Sequence, residues 1–302
     1  MSPAFALGVL LDEERASAGE LLTRVKRLES SAADILLVSD HADGPWEPFG
    51  LVSHLVARTT KRVGTYVASA PMRHPVQVAR ATATVAALSN GRFRLGVGAG
   101  WRASDAGAVG QPHDGAHRRR LLTEHTTLLV ALLSGDPVSF DGEFYSCHLE
   151  DGVPPAASTE LLVGASGPRM VDIAAKVADW VGFTPPLDPM ANGMHASSGL
   201  GLTDLHRRLR QLDEFHGRRI RRSLLVPVVR FGDERSLVDV MSRATGIELA
   251  DLSTSPYIVL GDERRVVERL RDLAESCELD EIVLPERTLK RCPGLLEMLR
   301  GA

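Results

Sequence analysis

The feature that most constrains this chain is an alternation. Short apolar runs of strand length are each followed by a stretch of helix length, eight times over. "FALGVL" precedes a helix over 17–30, "DILLV" (34–38) one over 47–59, "RVGTYV" (62–67) one over 75–89, and "FRLGVG" (93–98) one over 117–134. The second half continues with "ELLVG" (160–164) and 167–177, "DWVGF" (179–183) and 203–216, "SLLVPVV" (223–229) and 234–248, then "DEIVL" (280–284) and a terminal helix. Eight such units are what a closed parallel (β/α)8 TIM barrel requires, and 302 residues suit one barrel domain spanning 1–302. A doubly wound α/β sheet is the competing arrangement.

Insertions interrupt the rhythm in three places. After the fourth helix, "VSFDGEFY" (138–145) sets Asp141-Gly142 between aromatic and β-branched residues, the signal of a small hairpin. After the sixth strand, the segment through 186–203 is too rich in Gly, Ser and Pro for regular structure, so it reads as a mobile lid on the face where barrel active sites form. After the seventh strand, "SPYIVLGD" adds an extra segment, "YIVL", outside the barrel count.

Composition narrows the partners. A net charge of −4 provides no basic footprint for nucleic acid, and no apolar stretch approaches bilayer length. Cys147, Cys277 and Cys292 are far apart, without a C-x-x-C spacing. With no basic leader before the apolar run Phe5 to Leu11, this predicts a cytoplasmic protein in a reducing compartment. Arginines cluster at Arg118, Arg119 and Arg120, and again from Arg207 to Arg222; these are solvated helix faces or a dock for an anionic ligand.

Chemistry concentrates at strand ends. "VSDH" puts Asp40 and His41 where the second strand stops, a pair able to hydrogen-bond and transfer a proton near neutral pH. "GASGPR" (164–169) sets small residues before a proline-started helix, leaving backbone N–H groups free for an anion such as phosphate, although glycine there also serves tight turns. "SNGRFRLGVGAG" (89–100) carries Gly96, Gly98 and Gly100 at every second position, which implies a bend or the close approach of another group. His113 and His117 have the spacing of two metal ligands but no third ligand in a recognisable pattern, so no metal is expected. Neither a G-x-S-x-G elbow nor a P-loop is present, which points to a bound cofactor as the reacting group.

Taken together, "DILLVSDH", "RVGTYVASAPMRHPVQVARATATVAALSNGRFRLGVGAGW", "VSFDGEFY" and "LLVGASGPRMVDIAAKVADWVGF" resemble the bacterial luciferase-like family of flavin and deazaflavin oxidoreductases. The resemblance runs from about residue 5 to 183 and resumes in "SPYIVLGDERRVVERLRDL" and "DEIVLPE". It is greatest to the branch that uses the deazaflavin coenzyme F420. It implies a hydride transfer between F420 and a small organic substrate, with a reduced-FMN-utilising monooxygenase and a non-catalytic flavin-binding protein as alternatives, and commonly a homodimer. It also implies a cis peptide at Tyr66–Val67 supporting the cofactor ring. Carried over by position, the cofactor residues are Asp40, Tyr66, Val67, Ala68, Ser69, Gly100 and Ser104, with Gly164, Ala165, Ser166, Gly167, Arg169 and Met170 on the phosphate side. Asp40, His41 and Trp101 are the expected catalytic residues, with His41 and Asp40 managing the proton, and a nearby Trp46 is retained. Related sugar-phosphate dehydrogenases carry a proton-donating acid after the glycine-rich stretch. Here that position is Trp101, which argues against a sugar phosphate and for an apolar or planar substrate.

Overall fold

The computed structural model describes residues 5–156, 158–186, 199–215, 218–245 and 248–301. The chain begins with β1 (Ala6–Leu10), α1 (Ala18–Glu29), β2 (Ile35–Val38), α2 (Pro48–Val56), β3 (Arg62–Thr65), its continuation β4 (Ala68–Ser69), α3 (Pro75–Ser89) and β5 (Phe93–Gly98). Two helices, α4 (Ala103–Ala108) and α5 (Gly115–Leu133), and a hairpin of β6 (Val138–Asp141) and β7 (Ser146–Leu149) lead to β8 (Glu160–Ala165), α6 (Pro168–Val177), β9 (Trp180–Phe183) and α7 (Leu202–Asp213). The remainder comprises β10 (Arg221–Leu225), β11 (Val228–Phe231), α8 (Glu234–Thr245), α9 (Leu249–Thr254), β12 (Ile258–Gly261), α10 (Glu263–Ser276), β13 (Glu281–Pro285), α11 (Glu286–Arg291) and α12 (Leu295–Arg300).

The barrel strands run β3-β2-β1-β13-β10-β9-β8-β5, all parallel, and β5 pairs with both β3 and β4 to close the ring. This is the expected (β/α)8 barrel, not an open doubly wound sheet. Local signals explain where the helices start. Ser17 and Glu20 form a reciprocal capping box at α1, while Pro48, Pro75 and Pro168 occupy first turns, where a missing N–H is harmless. The Asp114 carboxylate accepts the N–H groups of Ala116 and His117 to start α5.

Several boundaries differ from the sequence reading, each for a local reason. Pro227, which lacks an N–H, splits "SLLVPVV": β10 stays in the barrel, and β11 leaves it to pair with β12, the extra "YIVL" segment. The second hairpin strand is Ser146–Leu149, because the Glu124 carboxylate collects the N–H groups of Glu143, Phe144 and Tyr145 and turns "GEFY" into the loop. The terminal helix breaks before Pro293 into α11 and α12. Most of the segment read as a lid, 187–198, lies outside the described residues.

Inside the barrel, Ile35, Leu37, Tyr66, Leu162, Trp180 and Val283 form a lumen cluster, with Leu10, Val67 and Leu225 packed on it. Near the amino-terminal end of the strands the lumen holds charge. Arg94 and Glu281, both essentially inaccessible, form a two-pronged pair at 3.0 and 2.8 Å. Glu281 also accepts the Ser223 hydroxyl at 2.7 Å, and Ser223 lies 3.2 Å from the Tyr66 hydroxyl. The Arg94 guanidinium lies 4.8 Å from the Trp180 ring centroid, a cation–π contact in a dry setting.

Candidate active site

A cavity of about 810 Å³ opens at the carboxyl-terminal ends of the strands. Its floor is the top of the lumen, where Leu10, Tyr66, Val67 and Leu225 face upward. The Tyr66–Val67 peptide between β3 and β4 is cis, as the resemblance implied. The alternating glycines of β5 lie against this turn. A Cβ on Gly96 would run into the Thr65 carbonyl, and one on Gly98 would lie 2.6 Å from a Val67 methyl. The group that approaches the glycines is therefore the chain's own third strand, which they allow to lie low enough to present Val67 as floor. Gly100 differs: it has φ +69°, and a Cβ there would meet Ser69 Oγ at 3.0 Å on the cavity wall.

His41 stands at the rim between two carboxylates. Its Nδ1 lies 2.8 Å from Asp105 Oδ2, and its Nε2 lies 3.2 Å from Glu13 Oε1. Asp105, only 3% exposed, also accepts the Ala42 N–H at 2.9 Å, so both its oxygens are committed to the His41 loop. That arrangement makes Nδ1 the donor to Asp105 and leaves Nε2 beside the Glu13 carboxylate, in a residue that lines the cavity. Trp101 meets the His41 ring edge-on at 5.9 Å, and Arg102 covers Trp101 while reaching Glu13 and Asp43.

Asp40, although adjacent in sequence, has different partners. Its carboxylate accepts the Ser69 N–H at 2.8 Å and pairs with Arg73 at 2.9 Å. Burial raises its pKa, with the Ser69 N–H and Arg73 opposing that rise. The sequence reading paired His41 with Asp40; the structure pairs it with Asp105, and Asp40 instead anchors β4. The Ser69 hydroxyl, also at the cavity wall, is buried without a hydrogen-bond partner among the described residues.

On the opposite wall, β8 runs into α6 through the loop Gly164 to Arg169. Gly167 caps α6 without a side-chain bond; Pro168 has no N–H and the Met170 and Val171 N–H groups return to the Gly167 carbonyl, which leaves the Arg169 N–H of the first turn open, and Ser166, Gly167, Arg169 and Met170 line the cavity. Arg208 of α7, 4% exposed, holds this loop from behind by donating to the Ser166 carbonyl at 3.1 Å and to the Tyr257 hydroxyl at 2.5 Å. Its charge sits beneath the loop without a carboxylate partner among the described residues. An orphan hydroxyl, an apolar floor and a loop of small residues with one open amide, backed by a cation, fit a ring-bearing cofactor with a phosphate.

The cavity thus gathers Asp40, His41, Tyr66, Val67, Ser69, Gly100, Trp101, Gly164, Ser166, Gly167, Arg169 and Met170. Ala68 and Ala165 are buried in their strands and do not line it, and Ser104 is exposed on α4, away from the lining.

The family described as luciferase-like monooxygenase matches residues 4–198. The chain belongs to the luciferase-like monooxygenase family. It is 34% identical over 189 residues to an F420-dependent glucose-6-phosphate dehydrogenase of Beutenbergia cavernae, an alignment covering 57% of this chain and 54% of that protein. It is 30% identical over 188 residues to an F420-dependent hydroxymycolic acid dehydrogenase of Mycobacterium tuberculosis, covering 58% and 52%. The chain therefore spans about half the length of the curated relatives it matches. Among solved structures, an F420-dependent secondary alcohol dehydrogenase in complex with an F420-acetone adduct superposes with a TM-score of 0.73 at 17% identity over 93% of each chain. Monooxygenase RslO1 from Streptomyces bottropensis gives 0.72 at 15% identity over 98% of each. At such identities these two likenesses show the barrel fold.

Three residues that shape the site of this luciferase-like chain were not singled out from the sequence: Glu13, Arg73 and Asp105. "ASDAGA" is too short and too rich in small residues to announce a helix, so nothing marked Asp105 as facing a histidine 64 positions earlier. The available signal was its place four residues after Trp101, where the resemblance had already led the eye to look for an acid.

Proposed function

We propose that this protein is an F420-dependent oxidoreductase that exchanges a hydride with a small organic substrate carrying an alcohol or carbonyl group. The observation that carries the reading is His41, held by Asp105 at Nδ1 with Nε2 beside Glu13, lining an apolar-floored pocket. The F420-dependent relatives support the choice of cofactor over FMN. When bound, F420 would supply the carbon that gives or accepts the hydride. Tyr66 and Val67 would support its ring, Ser69 Oγ would hydrogen-bond it, and the loop Ser166–Arg169 would hold its phosphate.

Nε2 of His41 would take the proton of a substrate hydroxyl during oxidation and return it to a carbonyl during reduction. Asp105 would fix the ring's tautomer and orientation, and Trp101 would wall the substrate side with an apolar surface, in keeping with a substrate that is not a sugar phosphate. The test is a pair of variants, His41→Ala and Asp105→Asn, assayed against a panel of secondary alcohols by loss of the deazaflavin absorbance. His41→Ala should lower turnover by about 10²–10⁴-fold while binding the cofactor as tightly as the parent. Asp105→Asn should lower it less and shift the pH profile. Undiminished turnover in His41→Ala would remove this histidine from the chemistry.

A further inference from the structure

The arginine run Arg118–Arg120 divides in the fold. Arg120 turns outward to Glu143 at 3.1 Å and to the Phe144 ring, whereas Arg118 and Arg119 turn to the cavity wall. Arg118 donates to the Gly100 carbonyl, and its Nε is buried without a hydrogen-bond partner. Burial and the neighbouring Arg119 charge pull its pKa below the ordinary value, opposed by the more distant Asp114. Among the described residues no carboxylate lies within ion-pair distance of Arg118, Arg119 or Arg169. The acids of the cavity are engaged elsewhere: Glu13 with His41 and Arg102, Asp40 with Arg73, Asp105 with His41. One wall of the cavity therefore holds two adjacent, partly desolvated guanidinium groups that repel each other and lack an anion.

We infer that Arg118 and Arg119 form a second anion subsite, beyond the phosphate loop, that takes the carboxylates of an extended cofactor tail. The inference rests on the F420 reading and deepens it. A phosphate at Ser166–Arg169 is the end of FMN. F420 continues past its phosphodiester into a chain of carboxylates, each suited to a guanidinium fork. The same wall would then separate the two cofactors by the length and charge of their tails, not by their rings.

The test is a fluorescence titration at low and high ionic strength with two probes: F420 with its glutamyl tail intact, and the same cofactor trimmed enzymatically to its phospholactyl group. The parent protein should bind the intact form about fivefold more tightly than the trimmed one at low salt, an advantage that shrinks at high salt. Arg119→Glu should abolish the advantage, with the trimmed form, which keeps only its lactyl carboxylate, losing less affinity than the intact one, and Arg119→Ala should fall between the parent and Arg119→Glu. Equal affinity of the parent for both forms, or an equal loss for both in Arg119→Glu, would overturn the subsite and leave the F420 reading standing. Binding of neither form by the parent would overturn that reading and the subsite with it.

Discussion

The two ends of the barrel handle charge in opposite ways. In the lumen, Arg94 and Glu281 meet each other prong for prong, and Ser223 fills a remaining position on the carboxylate. At the cavity, the Ser69 hydroxyl and Arg118 Nε are buried without partners, and cations line one wall while the acids are taken up on the other. A buried charge is tolerated when it is paired, so the lumen, although Arg94 Nε and Trp180 Nε1 have no hydrogen-bond partner among the described residues, balances its own charge and serves the fold. Polar groups left incomplete beside a cavity gain their partners from what enters it. The contrast separates the residues that build the barrel from those that use it, although both groups are polar and both are buried.

The comparison breaks most readily at the lumen. Glu281→Ala leaves the Arg94 charge unpaired and should lower unfolding free energy by about 3–5 kcal/mol, measured by denaturant unfolding. Replacing both partners with apolar residues of similar size should recover most of that loss. A cost below about 1 kcal/mol for the single variant would mean that water reaches the pair and that the lumen is not the dry frame described here.

A smaller effect follows from the wall behind the cavity, where α5 places His125 against Tyr145, and Tyr145 in turn against His74. Burial pushes the His125 imidazole down from its ordinary 6.5 to about 4. Between those two values the unfolded chain binds a proton that the native state refuses, so stability is intact above about pH 6.5 and falls as pH drops toward 4. The full loss is about 3 kcal/mol. His125→Leu should flatten that part of the stability profile. An unchanged slope in the variant would assign the acid sensitivity to other groups.

The smallest effect sharpens the contrast from the cavity side. Ser69→Ala removes a buried hydroxyl that has no partner, so stability should change by less than about 0.5 kcal/mol. Cofactor affinity should nevertheless fall about fivefold, the equivalent of one net hydrogen bond. A stability loss of the size seen for the lumen variant would show that Ser69 belongs to the frame.

The alternation of apolar runs was enough to read the barrel, because parallel strands and covering helices leave separate periodicities in the chain. The departures lie where one residue overrides that pattern. Pro227 ejects β11 from the barrel, and the Glu124 carboxylate draws three amides into a hairpin loop. His41, Trp101 and the Ser166–Arg169 loop were legible because each follows a strand end in its own unit. The partners of His41 were not, since Glu13 comes from the loop after β1 and Asp105 from α4 after β5, and they meet it only when the ring closes. Gly96 and Gly98 were recognised as sites of close approach, but which group approaches them depends on the neighbouring strand and required the structure.

The most direct test is an equilibrium titration of the purified protein with oxidised F420 and, separately, with FMN, followed by fluorescence. Saturable binding of F420 with a clear preference over FMN is the predicted result. Preference for FMN, or binding of neither, would contradict the assignment of this cavity to a deazaflavin.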